Sequence, residues 1–256
     1  MKKFIFVILT LYSFINCYSQ TSEDHSNREA SISKLQNHQG ADTSYIMRGA
    51  AKYKMQDYEG AIADFNKAIE INPKNSDRSY IMRGLVKNKL QDYEGAIADF
   101  NKAIEINPKN SEAYDGRGLA NYNLHNYQGA IADFNKAIEI NPKYSEAYYG
   151  RGLAKYNLQD HRGAIVDYDK AIEINPKYSD AYYNKGLAKY KLQDYQGAIA
   201  DFNKAIEINP KNSDAYYYKG VIKLMLGQKD NGCLDLSKAG ELGYMGAYEM
   251  IKKYCN

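Results

Sequence analysis

The chain has 256 residues, 34 of them Lys or Arg and 31 Asp or Glu, for a net charge of +3. The two signs are interleaved, which excludes the single-signed stripe of a nucleic-acid binder. His25, His38, His125 and His161 stand apart from one another, so no metal site is expected.

Lys2 and Lys3 precede an uncharged run over residues 4–15. The run suits the apolar core of an export signal and is short for a bilayer span. Cys17 and Ser19 supply small residues for a cut after Ser19, so 1–19 reads as a signal peptide and Gln20 as the first mature residue. Two alternatives stay open. Cys17 is a lipidated cysteine, although Asn16 fits such a site poorly, or the segment stays uncleaved as an anchor. The expected destination is the periplasm, outer envelope or exterior of a bacterium, with membrane attachment only if Cys17 is lipidated. Residues 20–41 are polar, without a sustained apolar period, and read as a flexible spacer.

From residue 42 the chain repeats itself. Residues 91–111 read QDYEGAIADFNKAIEINPKNS, the same letters fill 56–76, and they return at 193–213 with Gln196 as the one change. Tyr93, Ala96, Ile97, Phe100, Ala103 and Ile104 line one face of a helix. Asp92 is placed to cap its start, and Pro108 ends it. Asp99, Asn101, Lys102 and Glu105 form the polar face, expected to meet water. Pro73, Pro108, Pro142, Pro176 and Pro210 recur every 34 or 35 residues, a period that marks a stacked array. The units are 42–75, 76–110, 111–144, 145–178, 179–212 and 213–245. Each opens with an earlier helix, for which Ser111, Ser145, Ser179 and Ser213 are the expected N-caps. That helix carries a glycine (Gly49, Gly84, Gly118, Gly152, Gly186, Gly220) where its partner must come close.

The fourth unit carries Gly152, Ala164, Tyr168, Ala171 and Pro176 at its eighth, twentieth, twenty-fourth, twenty-seventh and thirty-second places. A 34-residue helix–turn–helix unit with these residues resembles the tetratricopeptide repeat. The resemblance covers about four fifths of the chain. It implies an all-α fold, a right-handed superhelical solenoid of antiparallel helix pairs. Two places depart from the family pattern. The seventh, usually leucine, is Arg48, Arg83, Arg117, Arg151, Lys185 or Lys219. The eleventh is lysine or asparagine, with the aromatic one residue later. Aspartate holds the twenty-third place in every unit (Asp64, Asp99, Asp133, Asp167, Asp201, Asp235), so the seventh-place cation is expected to bridge to it across the pair.

The last unit drifts, with Gly232, Leu236 and Gly240 at places that siblings fill otherwise. Residues 246–256 read as a capping helix over the final apolar face. Cys233 and Cys255 lie equally far on either side of Tyr244, at the centre of the turn. An antiparallel pair sets such residues side by side, and an oxidising compartment would bond them. Two free buried cysteines are the alternative.

No nucleophile, phosphate-loop or dinucleotide motif occurs, and near-identical units repeat their chemistry instead of converging unlike residues. No catalysis, cofactor or small-molecule substrate is expected. The family resemblance implies that the first helices line a concave groove. On that basis the groove residues are Tyr122, Tyr149, Leu153, Tyr156, Tyr183, Leu187, Tyr190 and Tyr217, with Asp115 among them at the fifth place. The family's clamp for a partner's C-terminal carboxylate wants asparagine at the ninth place, which is apolar here from Ala50 to Val221, so that partner class is rejected. The same tyrosines could instead serve packing between units. The expected function is a non-catalytic, exported scaffold that grips a protein or peptide partner. A self-associating structural component of the envelope is the alternative.

Overall fold

The computed structural model describes residues 40–255. The expected signal peptide and nearly all of the expected spacer lie outside them. The described residues divide at Pro73/Lys74 into two compact units. The first holds α1 (Ala41–Lys54) and α2 (Tyr58–Ile71). The second holds α3 (Asp77–Lys89), α4 (Tyr93–Ile106), α5 (Ser111–Asn123), α6 (Tyr127–Ile140), α7 (Ser145–Asn157), α8 (His161–Ile174) and α9 (Ser179–Lys191). It continues through α10 (Tyr195–Ile208), α11 (Ser213–Met225), α12 (Lys229–Glu241) and α13 (Gly246–Tyr254). No strand occurs among the described residues, and the fold is an all-α helical repeat.

The second helix of each of the first five pairs starts on a side-chain cap, and that of the last pair, after Gln228, does not. Asp57, Asp92, Asn126, Asp160 and Asp194 each accept from the amide three residues on. The first helices differ from expectation. Ser111, Ser145, Ser179 and Ser213 are already helical, and the residue before each is the N-cap. Asn110 and Asn212 reach the free amides, whereas the Ser145 hydroxyl turns to Glu146 and that of Ser179 to the Ala205 carbonyl. The turn inside each pair holds Gln56, Gln91, His125, Gln159 or Gln193 in the left-handed region, and Gly227 takes that place in the last unit.

Apolar wedges hold the pairs together. The Phe100 ring is fully buried between Gly84 of its own pair and Gly116 of the next. A Cβ on these glycines would fall 3.0 and 2.4 Å from the ring. Phe134 sits likewise between Gly118 and Gly150. Glycine is required because the ring occupies the volume that any side chain would need.

Around this wedge the expected ion pairs form, and they are buried. Asp99, assigned to the solvent face by the helix pattern, is only 3% exposed. Its carboxylate takes Arg83 Nη2 at 2.5 Å and Lys87 Nζ at 2.9 Å. Asp167 takes Arg151 at 2.5 Å and Lys155 at 2.8 Å, Asp201 takes Lys185 and Lys189, and Asp235 takes Lys219 and Lys223. In the third unit, where the eleventh place is asparagine, Asn121 donates to Asp133 beside Arg117. In the first compact unit Arg48 and Lys52 grip Asp64. Burial pushes the Asp64 carboxyl up, but these two cations outweigh it and hold the group below its ordinary range. The fourth-place tyrosine covers each seventh-place cation, as Tyr80 does Arg83 at 5.2 Å and Tyr148 does Arg151 at 5.4 Å. Arg117 and Arg151 also donate backward to Asn101 and Asn135 of the preceding pair, each at 2.6 Å. One cation therefore ties its own pair together and joins it to the last.

At the C-terminal end α13 packs on α12 through Ala247, Met250 and Ile251 against Leu236 and Ala239. The sulfurs of Cys233 and Cys255 lie at bonding distance, with Cα atoms 5.8 Å apart.

Gly116→Ala separates wedge geometry from helix propensity. Alanine in a helix gains about 1 kcal/mol over glycine, but overpacking against Phe100 costs about 1–3 kcal/mol. Urea unfolding is expected to show net destabilisation. A stabilised variant would contradict the wedge.

Candidate functional site

Within the second compact unit, α3, α5, α7 and α9 each approach the next in that series, while no such approach links α4, α6, α8 and α10. The first helices are thus the inner face and the second helices the outer wall. The inner face carries the residues that differ between units. All eight groove residues are half-buried, neither sealed in the core nor free in solvent.

Each inner tyrosine is braced on one side. The Tyr149 ring lies 4.8 Å from that of Tyr178 and 6.0 Å from that of Tyr168, and its hydroxyl accepts from Asn184 at 3.0 Å. Tyr183 packs on Phe202 and Tyr218, and Tyr217 stacks on Tyr244 at 4.3 Å. One residue short of the end of α5, the Tyr122 ring meets Tyr127, and its hydroxyl accepts from Asn157 at 3.0 Å. Tyr156 meets His161, and Tyr190 lies 6.0 Å from both Tyr195 and Tyr218. Leu153, Tyr149 and Tyr156 pack against the core around Tyr168, and Leu187, Tyr183 and Tyr190 against that around Phe202. The alternatives of packing and groove lining therefore concern two sides of the same rings.

Burial raises the phenol pKa of Tyr149 and Tyr183, with Asp180 and Asp214 respectively adding to the rise. These hydroxyls are neutral hydrogen-bonding groups at any physiological pH. Asp115 behaves differently from the six clamped aspartates. No cation pairs with it among the described residues, and its one hydrogen-bond partner is the Tyr144 hydroxyl at 3.3 Å. Burial pushes its carboxyl up to about 7, with Glu146 and Glu112 adding to the rise and the Tyr144 hydrogen bond opposing it.

Tyr144, Tyr178 and Tyr218 belong to this surface and escaped the sequence-based selection. A signal for the first two was present. They stand in the loop before α7 and α9, where the corresponding position before α5 and α11 is Asn110 or Asn212. An aromatic replacing asparagine in otherwise repeated loops marks a local change of duty. Asp115 interrupts its own series in the same way, with Ile81 before it and Tyr149 after.

Models of the tetratricopeptide repeat match residues 43–75, 145–178 and 179–212, a TPR repeat model matches 84–125 and 124–159, and a third matches 202–232. The chain belongs to the tetratricopeptide repeat family. Among solved structures, MamA is 30% identical, covers 65% of this chain and 96% of its own, and has a TM-score of 0.56. YrrB, described as a TPR protein with an unusual peptide-binding site, is 25% identical over 73% of this chain and 97% of its own, with a TM-score of 0.59. PilF of Pseudomonas aeruginosa, at 15% identity, shares the fold alone, with a TM-score of 0.74 over 87% of this chain and 99% of its own. No curated protein sequence matches the chain. Membership makes this tetratricopeptide repeat protein a protein-interaction scaffold in kind.

Asp115→Asn tests the strained carboxyl. A group raised from about 4 unfolded to about 7 folded contributes stability below pH 4 and loses it as pH rises through 7. The stability of Asp115→Asn relative to the parent should therefore rise by about 2 kcal/mol between pH 4 and pH 8, after allowance for partial exposure. A difference independent of pH would contradict this environment for Asp115.

Proposed function

We propose that this protein is an exported, non-catalytic scaffold that holds an extended or helical peptide segment of a partner against the inner face of its helix pairs. The observation that carries the reading is the contrast between its two faces. The outer helices repeat almost letter for letter, while the inner ones present half-buried tyrosine and leucine that change from unit to unit. Braced aromatic rings suit an interface, because they bury area with little ordering cost and tolerate water at the hydroxyl. The peptide-binding description of YrrB supports the mode. The identical outer pairs, such as Lys102–Glu105 and Lys204–Glu207, are exposed ion pairs that contribute solubility and little specificity.

Export rests on the N-terminal sequence, with Lys2 and Lys3 ahead of an uncharged run and a cut after Ser19. The juxtaposed Cys233 and Cys255 accord with it, since a bond there needs an oxidising compartment. Closing that loop would stabilise the capping helix by about 3 kcal/mol.

Tyr149, Tyr183 and Tyr217 changed together to Ala should lose the partner in a crosslinking pull-down from the native envelope, while circular dichroism still reports a folded helical protein. Recovery of an unchanged partner set would refute groove binding. Intact-mass analysis of the native protein should show a chain starting at Gln20 with no free thiol. A chain retaining residues 1–19 would refute export by this route, and two alkylatable cysteines would refute the Cys233–Cys255 bond.

A further inference from the structure

The charges of the inner helices are not evenly spent. On α5 and α7 every cation is turned to the clamps, Arg117 onto Asp133 and both Arg151 and Lys155 onto Asp167. What remains on these two helices without an ion pair among the described residues is Glu112, Asp115 and Glu146, all acidic. They converge on one place. Glu112, Asp115 and Glu146 all raise the pKa of the half-buried phenol of Tyr144, and Glu146, Asp180 and Asp115 raise that of Tyr178. Tyr178 faces Tyr149 at 4.8 Å.

Asp115 is the centre of this place. Six aspartates of the fold are buried, and each receives two cations or a cation with an amide. Asp115 is half-buried and receives one hydroxyl, that of Tyr144, at 3.3 Å. A carboxylate held this way is short of a positive donor. We infer that the segment bound by this part of the groove is basic, with an arginine or lysine of another protein set against Asp115 between Tyr144, Tyr149 and Tyr178. The inference rests on the groove reading above and adds the chemistry of the partner. It runs against the protein's own net charge of +3, so non-specific attraction would not imitate it.

The test is fluorescence anisotropy at pH 8 on the full mature chain. The probes are three labelled peptides of equal length, in which alanine alternates with arginine, serine or glutamate. The arginine peptide should bind, and Asp115→Asn or the exposed Glu146→Gln should weaken it, the former about tenfold. Glu139→Gln on the outer helix α6 should change nothing. The surface position of Glu146 keeps its variant informative should Asp115→Asn prove poorly folded. If the serine or glutamate peptide binds as well, and Tyr149→Ala abolishes that binding, the groove is real and the basic partner is wrong. If no peptide binds, or binding ignores both Asp115→Asn and Tyr149→Ala, the inference and the groove reading fail together.

Discussion

The structure depends on an aspartate that has no business being buried unless two donors reach it. Asp167 is 1% exposed, and its carboxylate is met by Arg151 and Lys155 from one face of the partner helix, four residues apart. Taking that charge out of water costs several kcal/mol, recovered only when both lone-pair sides are satisfied with good geometry. The arrangement admits one relative rotation and one register of the two helices. With variations in the donors it recurs in every pair, which is how six short amphipathic pairs become one repeated shape. The backward reach of Arg117 and Arg151 to the preceding pair then carries that geometry along the chain.

The clamp and the phenylalanine wedge together consume the residues that would otherwise compete for a partner. Glycine at the eighth place admits the ring, the seventh and eleventh places feed the aspartate, and the fourth-place tyrosine shields the cation. The fifth, ninth and twelfth places are left over on the inner face. Their side chains need only brace against a neighbour on one side, so they vary from Ile81 to Asp115 to Tyr149 without loss of the fold. Recognition is confined to where the scaffold makes no demand.

Much of this was legible in the sequence. The proline period, the apolar stripe of residues 91–111 and the glycine of each first helix were enough for an all-α array of helix pairs. The recurrence of cation and aspartate at fixed places foretold the clamp. Helix periodicity misplaced Asp99 in solvent, because a charge on a polar arc looks the same whether water or an arginine answers it. The serines were misread as caps because Asn110 and Asn212 stand one step earlier with better reach. Tyr144 and Tyr178 were overlooked because they sit in loops, and only tertiary contact brings Tyr178 against Tyr149 and the Tyr144 hydroxyl to Asp115. The isolation of Asp115 could not be read at all, since it depends on which cations are already engaged.

The most direct measurement is a double-mutant cycle on stability with Arg151→Met, Asp167→Ala and the pair. If the buried clamp organises each unit, removing one member strands the other, and the two changes together cost far less than their sum. A coupling of about 2 kcal/mol or more is expected, nearly unchanged between low and high salt. Additive losses with no coupling, or a coupling that vanishes in salt, would make the pair an ordinary surface contact and contradict the account.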